Sequence, residues 1–323
     1  MRILALTVAT LLACWPALAA ETVRFASGTY DNLAKIVAKQ PSAAIEATGT
    51  LSLPEGEGPV PAVVILHTIG GLDPQNEPWF AERLTQAGFA TLVIDTYTPR
   101  GWTMEMATKG GAQGSASQTA DAFAALKMLA ARPRIDAGKI AVIGFSMGGD
   151  SAHFTAFEVL RKAQIDTDLR FAAHVPFYPA FAWGVPARPG AYSGAPILFL
   201  LGELEDAGPV AKVMPYLDWH LAADPGLPLR HIIYPGAYHA WTVPRFQPAR
   251  FLAHHASVKA CALLLVDNPP KSWRPETGAE VANFEQWRQC LTNKGYHMGF
   301  DSTVRDRSLA DSIAFLRKGM DGR

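Results

Sequence analysis

Continuous apolar runs of five to eight residues recur along most of this chain, separated by stretches of helical spacing. The runs are 61–67 (PAVVILH), 89–96 (FATLVIDT), 139–145 (KIAVIGF), 171–178, 196–201 (PILFLL) and 230–234 (RHIIY). Residues 79–88, 119–131 (TADAFAALKMLAA) and 148–157 carry the helical pattern. A strand that is apolar at every position has no face to give to water and must be covered on both sides. The pattern therefore predicts an α/β fold with a mostly parallel central sheet flanked by helices. Residues 22–58 are polar and mixed, with one further strand expected at 44–53, ended by Pro54. After Trp241 the rhythm breaks. Residues 243–295 are rich in proline, histidine and tryptophan and too aperiodic for a second core, so they read as an insertion or cap. An amphipathic helix at 302–318, with Leu309, Ile313, Phe315 and Leu316 apolar, closes a single domain spanning 21–323.

Composition narrows the function. An apolar content of 49% excludes a disordered chain. Lys plus Arg and Asp plus Glu balance at 29 each without a run of either sign, so neither nucleic acid nor an anionic membrane surface is an expected partner. Residues 1–20 (MRILALTVATLLACWPALAA) place one positive charge before an apolar core and end in small residues, the order of a cleaved signal peptide. The core at 3–13 is shorter than the ~20 apolar residues of a spanning helix, so no stable membrane anchor is expected. Lipid attachment at Cys14 is a minor alternative. A secreted or periplasmic location follows, and there the two remaining cysteines, Cys261 and Cys290, are expected to pair. The insertion's Trp273 and Trp287 stand as pocket walls or as ordinary packing.

The chemistry concentrates where the run 139–145 meets Gly144-Phe145-Ser146-Met147-Gly148-Gly149. A serine between glycines can occupy a very tight strand-to-helix turn that projects its hydroxyl above the sheet. The next N–H, that of Met147 at the helix start, then faces the oxygen of a bound carbonyl. A serine hydroxyl needs a base, and the base needs an acid; in this architecture both follow the serine along the chain. His239 lies in a loop just past the run 230–234, at a strand's carboxyl end, where open α/β sheets meet ligands. His231 reads as buried within its strand, His153 and His174 as helix and strand residues, and the adjacent His254 and His255 cannot share one site. The acid should follow the run 196–201, where Glu205 and Asp206 both stand. No zinc-ligand spacing or nucleotide-cradling glycine pattern is present, so no metal and no cofactor are expected.

These stretches together resemble the dienelactone hydrolase family of α/β-hydrolases: PAVVILHTIGG (61–71), IDTYTPRG (94–101), IAVIGFSMGGD (140–150), LLGELEDAGP (200–209), YPGAYHAW (234–241) and YHMGFD (296–301). The resemblance implies the α/β-hydrolase fold, Ser146 as nucleophile, His239 as base, and an oxyanion hole from the N–H groups of Met147 and Ile69. It puts Glu205 at the acid position by the register of Pro209, with Asp206 there if the loop bulges by one. It places Arg100 near an arginine that grips a substrate carboxylate. Thr68 stands in place of a glutamate and Val243 in place of a second arginine. The implied substrate is a small ester or lactone, cleaved by a serine hydrolase. A peptidase or acyltransferase would use the same triad, and a noncatalytic binder could keep the fold.

Overall fold

The computed structural model describes residues 20–106, 112–269, 271–273, 278–280, 289–291 and 295–321. The leader with Cys14, Trp287 and the side chain of Trp273 lie outside the described residues. In chain order the elements are β1 (Ala20–Thr29), α1 (Leu33–Val37), β2 (Ala43–Ser52), β3 (Val60–Leu66), α2 (Glu77–Gln86), β4 (Ala90–Asp95), α3 (Ala112–Ala130), β5 (Ile135–Phe145), α4 (Met147–Phe154) and α5 (Glu158–Gln164). There follow β6 (His174–Phe177), β7 (Trp183–Gly184), β8 (Ile197–Gly202), α6 (Val210–Ala223), β9 (Leu229–Tyr234), β10 (Arg250–Phe251), β11 (Leu264–Asp267), β12 (Lys271–Trp273), β13 (His297–Met298) and α7 (Ser302–Asp321).

Eight strands make one sheet in the order β1-β2-β4-β3-β5-β6-β8-β9. The six strands from β4 to β9 run parallel, and β2 opposes both of its neighbours. The continuous apolar runs resolve into two faces by simple alternation. In β3, Ala62, Val64 and Leu66 join one core while Val63 and Ile65 join the other; β5 divides Ile140 and Val142 from Ala141, Ile143 and Phe145 in the same way. Helices α1 and α3–α6 cover the first face, and α2 with α7 the second. This is the α/β-hydrolase architecture, and it sends β3, β5, β8 and β9 to the same edge of the sheet.

Several elements escaped the pattern, β1 and α6 the longest of them. In β1 only Val23, Phe25, Gly28 and Thr29 are buried, and an edge strand with one wet side carries a weak apolar signal. Helix α6 has Pro215 inside it, which masks its periodicity. The predicted helix 148–157 ends at Phe154, and α5 begins at Glu158. His231 is exposed, contrary to expectation, because β9 is the far edge of the sheet and has no covering layer over that face. Among the described residues no helix is long and apolar enough to cross a membrane.

The described part of the insertion belongs to the body of the domain. Strand β11 pairs with β7 and with β12, and Leu264, Leu265 and Val266 are buried in the first core. Cys261, in the same core, is bonded to Cys290. Strand β10 pairs with β13 and so returns the chain to the edge that carries the histidine loop.

Candidate active site

The β5–α4 turn leaves no room for a side chain at Gly144 or Gly148. A Cβ on Gly148 would lie 2.3 Å from the Leu66 carbonyl oxygen, and one on Gly144 would lie 2.0 Å from that of Gly148. Between them Ser146 takes φ 55° and ψ −113°, a strained conformation for a residue with a side chain. The Phe177 carbonyl holds its N–H at 3.0 Å. The turn is rigid on both sides, so the hydroxyl direction is set by backbone.

Ser146 Oγ lies 2.8 Å from His239 Nε2, and His239 Nδ1 lies 2.7 Å from Glu205 Oε2. The carboxylate can only accept, so Nδ1 carries the proton and Nε2 offers its lone pair to the serine. The imidazole is buried, with Tyr178 and Tyr296 set edge-on to it at 5.0 and 5.3 Å between ring centres. The Gly299 N–H donates to the His239 carbonyl at 3.0 Å, tying the histidine loop to the segment before α7. Glu205 is buried, and its other oxygen accepts the N–H groups of Ala207 and Gly208 at 2.7 and 3.2 Å. Asp206 turns away. Its oxygens accept the His297 N–H at 2.8 Å and meet His297 Nδ1 at 3.0 Å.

The N–H of Met147 opens α4, where the first turn has no intrahelical acceptor to offer. Ile69, in the loop after β3, packs with Trp102 against Tyr97 and Met147. The Tyr97 hydroxyl donates to the Ile69 carbonyl at 3.1 Å and lies 3.6 Å from Met147 Sδ. The two loops that carry these N–H groups therefore share one apolar joint.

Arg100 is engaged within the fold. Its guanidinium is buried, bidentate on Asp121 at 2.8 and 2.9 Å, and donates also to the Thr96 carbonyl, the Gly28 carbonyl and Thr29 Oγ1. It staples β1 to the loop after β4. Two residues that the sequence did not single out support the site. Asp150, in the first turn of α4, accepts the N–H groups of Ala180 and Phe181 at 3.2 and 2.9 Å; burial pushes its pKa up to about 7. Glu77 accepts the Asp73 N–H and the Asn76 side-chain amide at the foot of the Ile69 loop, and burial again pushes it up to about 7. A carboxyl in the first turn of a helical stretch is the one signal either left in the sequence.

A chain of carboxylate, imidazole and hydroxyl is an arrangement suited to acyl transfer. Among the described residues no group of three His, Cys, Asp or Glu could hold a metal ion. The model of the dienelactone hydrolase family matches residues 47–263. The chain belongs to that family. Membership makes it a hydrolase, and the match ends inside the insertion at the disulfide-bonded segment. No curated protein sequence matches this chain. Among solved structures, it is similar to a dienelactone hydrolase-like promiscuous phosphotriesterase from metagenomic libraries, at 19% identity and a TM-score of 0.54 over 92% of this chain and 98% of that one. An α/β-hydrolase enzyme from a deep-sea metagenome library is similar at 15% identity and a TM-score of 0.50, over 85% of this chain and 93% of that one. At such identities the likeness establishes the α/β-hydrolase fold.

Proposed function

We propose that the protein is a serine hydrolase that cleaves a small carboxylic ester or lactone through an acyl-enzyme on Ser146. The observation that carries this reading is the unbroken line Glu205–His239–Ser146, at 2.7 and 2.8 Å, ending on a strained serine at the sheet edge. As Oγ bonds to the substrate carbonyl carbon, Nε2 takes its proton and the carbonyl electrons pass to the oxygen, beside the Met147 and Ile69 N–H groups. Collapse breaks the ester C–O bond, and the leaving alkoxide takes the proton from Nε2. A water then gives a proton to Nε2 and attacks the acyl carbon; Ser146 leaves with that proton and the acid is released. Glu205 holds Nδ1–H and faces the imidazolium as it forms.

Arg100 is committed to Asp121, so it gives no grip on a substrate carboxylate, which favours uncharged esters and lactones over a carboxylate-bearing dienelactone. The leader pattern and the Cys261–Cys290 bond support export to a periplasmic or extracellular compartment. The test is a fluorophosphonate probe with a panel of short esters, lactones and peptides. Wild type should be labelled and should hydrolyse the esters or lactones. Ser146→Ala should keep its fold, resist labelling and lose about 10⁴- to 10⁶-fold in turnover. A folded Ser146→Ala variant retaining about a tenth of wild-type turnover would end the covalent reading.

A further inference from the structure

The loop between β3 and α2 carries the Ile69 amide, and an amide points only where its peptide plane allows. In a trans peptide, the N–H of one residue and the C=O of the residue before it point in opposite directions. The direction of the Ile69 N–H is therefore set by whatever holds the Thr68 carbonyl. Two groups hold it: His67 Nδ1 at 2.7 Å and the Gly71 N–H at 3.0 Å. Thr68 Oγ1 accepts the Gly70 N–H at 3.0 Å, which tightens the same turn.

His67 is fully buried at the end of β3, and its neighbours decide where its proton sits. The Thr96 N–H approaches Nε2 at 3.3 Å and can only donate. Nε2 must then offer its lone pair, and the proton resides on Nδ1, facing the Thr68 oxygen. Burial lowers the pKa of the ring, against the opposing pull of Asp95 and Asp121, so this division of donor and acceptor persists at neutral pH. Tyr97 packs edge-on to the imidazole at 4.7 Å between ring centres and sends its hydroxyl to the next carbonyl, that of Ile69. The His67 carbonyl is fixed as well, by Gln118 Nε2 at 3.1 Å. This strand end runs directly beside the nucleophile helix: a Cβ on Gly148 would stand 2.7 Å from the His67 oxygen.

We propose that His67 is a positioning residue for the oxyanion hole: its Nδ1–H holds the Thr68 carbonyl, and so turns the Ile69 N–H away from the buried histidine and toward the site. His67 touches no substrate. Without it the 68–69 peptide keeps only the Gly71 bond and can rotate, which would present a carbonyl where the oxyanion needs a donor. The inference rests on the serine-hydrolase reading and adds to it a residue with no part in the triad.

Three variants test it with the full-length protein and a short ester. His67→Asn keeps an N–H at the Nδ1 position. His67→Gln is of similar size but carries its amide at the Nε2 position, and His67→Leu has no donor. His67→Gln and His67→Leu should lower kcat about 10²-fold with KM changed less than about threefold, the loss typical of one missing oxyanion donor. Affinity for a trifluoromethyl ketone, whose adduct carries the oxyanion, should fall in parallel. His67→Asn should stay within about fivefold of wild type. If His67→Leu fails to fold, the contrast between Asn and Gln carries the test. The proposal is overturned if folded His67→Gln keeps wild-type kcat, if His67→Asn is as impaired as His67→Gln, or if only KM changes. Fluorophosphonate labelling of wild type keeps the two readings apart. Absent labelling overturns both, whereas labelling without the Asn–Gln contrast overturns only the role of His67.

Discussion

Glu205 and Asp206 are adjacent carboxylates with separate partners, and the backbone decides which meets His239. The turn after β8 points Glu205 inward, where the Ala207 and Gly208 N–H groups hold one oxygen and His239 meets the other. Asp206 then points outward to His297, with 30% of its side chain exposed. Glu205→Gln should lower kcat by about 10³- to 10⁴-fold, since the amide favours the wrong histidine tautomer. Asp206→Asn should stay within about threefold. Steady-state rates of the two variants check this, and equal mild losses would remove Glu205 from the triad. Arg100 makes the opposite case, a charge whose partner is a buried carboxylate. Arg100→Met leaves Asp121 buried without its partner and should cost about 3–5 kcal/mol of stability by denaturant melting. The ratio of kcat/KM for neutral over carboxylate-bearing esters should not move, because the guanidinium faces Thr29 and Gly28 and not the site.

At the scale of the element, the nucleophile turn depends on backbones that pass in near contact. Leu66 at the end of β3 lies against Gly148 at the start of α4, and Phe177 at the end of β6 lies against Gly149. Gly148→Ala would drive a methyl to 2.3 Å from the Leu66 oxygen, and a carbonyl between paired strands cannot swing aside as a side chain can. The variant should lose about 1–3 kcal/mol of stability. It should also lose fluorophosphonate reactivity, since relief comes only by moving α4 from β3. Unchanged labelling rates at an unchanged melting temperature would contradict this reading. The sequence pattern located β3, β5 and β8 because both faces of those runs are apolar. It missed β1 and α6, where a wet face and an internal proline dilute the signal.

Over the whole molecule, buried ionisable groups set an acid limit. Burial lowers His153 well below its usual range and takes His220 down to about 4. The unfolded chain binds those protons near pH 6.5 and the folded protein does not. Their contribution to stability is therefore full above about pH 6.5 and is lost as pH falls toward the folded values. Glu77 and Asp150, pushed up to about 7, act in the opposite sense: they favour the folded state below about pH 4 and lose that contribution as pH rises to 7. His153→Phe should flatten the fall in stability between pH 6.5 and 4.5 by at most about 1.4 kcal/mol per pH unit. Phenylalanine suits the surrounding nest of Phe157, Phe181 and Phe199. Urea titrations at several pH values measure the difference, and parallel curves would contradict it. The disulfide acts at the same scale. Opening the Cys261–Cys290 loop, 29 residues in sequence, should cost about 3–4 kcal/mol in the chain-entropy model, read as a lower urea midpoint in the Cys261→Ser, Cys290→Ser double variant.

What the sequence by itself determined is local or periodic. Apolar runs covered on both faces required a parallel sheet between helices. The spacing of glycines around Ser146 required a tight turn, and the position of His239 past a strand put it at the sheet edge. Each of these depends only on neighbours along the chain. Tertiary structure decided the rest, because it depends on which groups meet across the sheet. The choice of Glu205 over Asp206 needed the path of the turn and the position of His297. The pairing of Arg100 needed Asp121, on a helix packed across from it. The proton on His67 needed the Thr96 N–H, a strand away. A sequence records which residues can donate or accept, but burial and approach angle decide which of them still have a free donor when a substrate arrives.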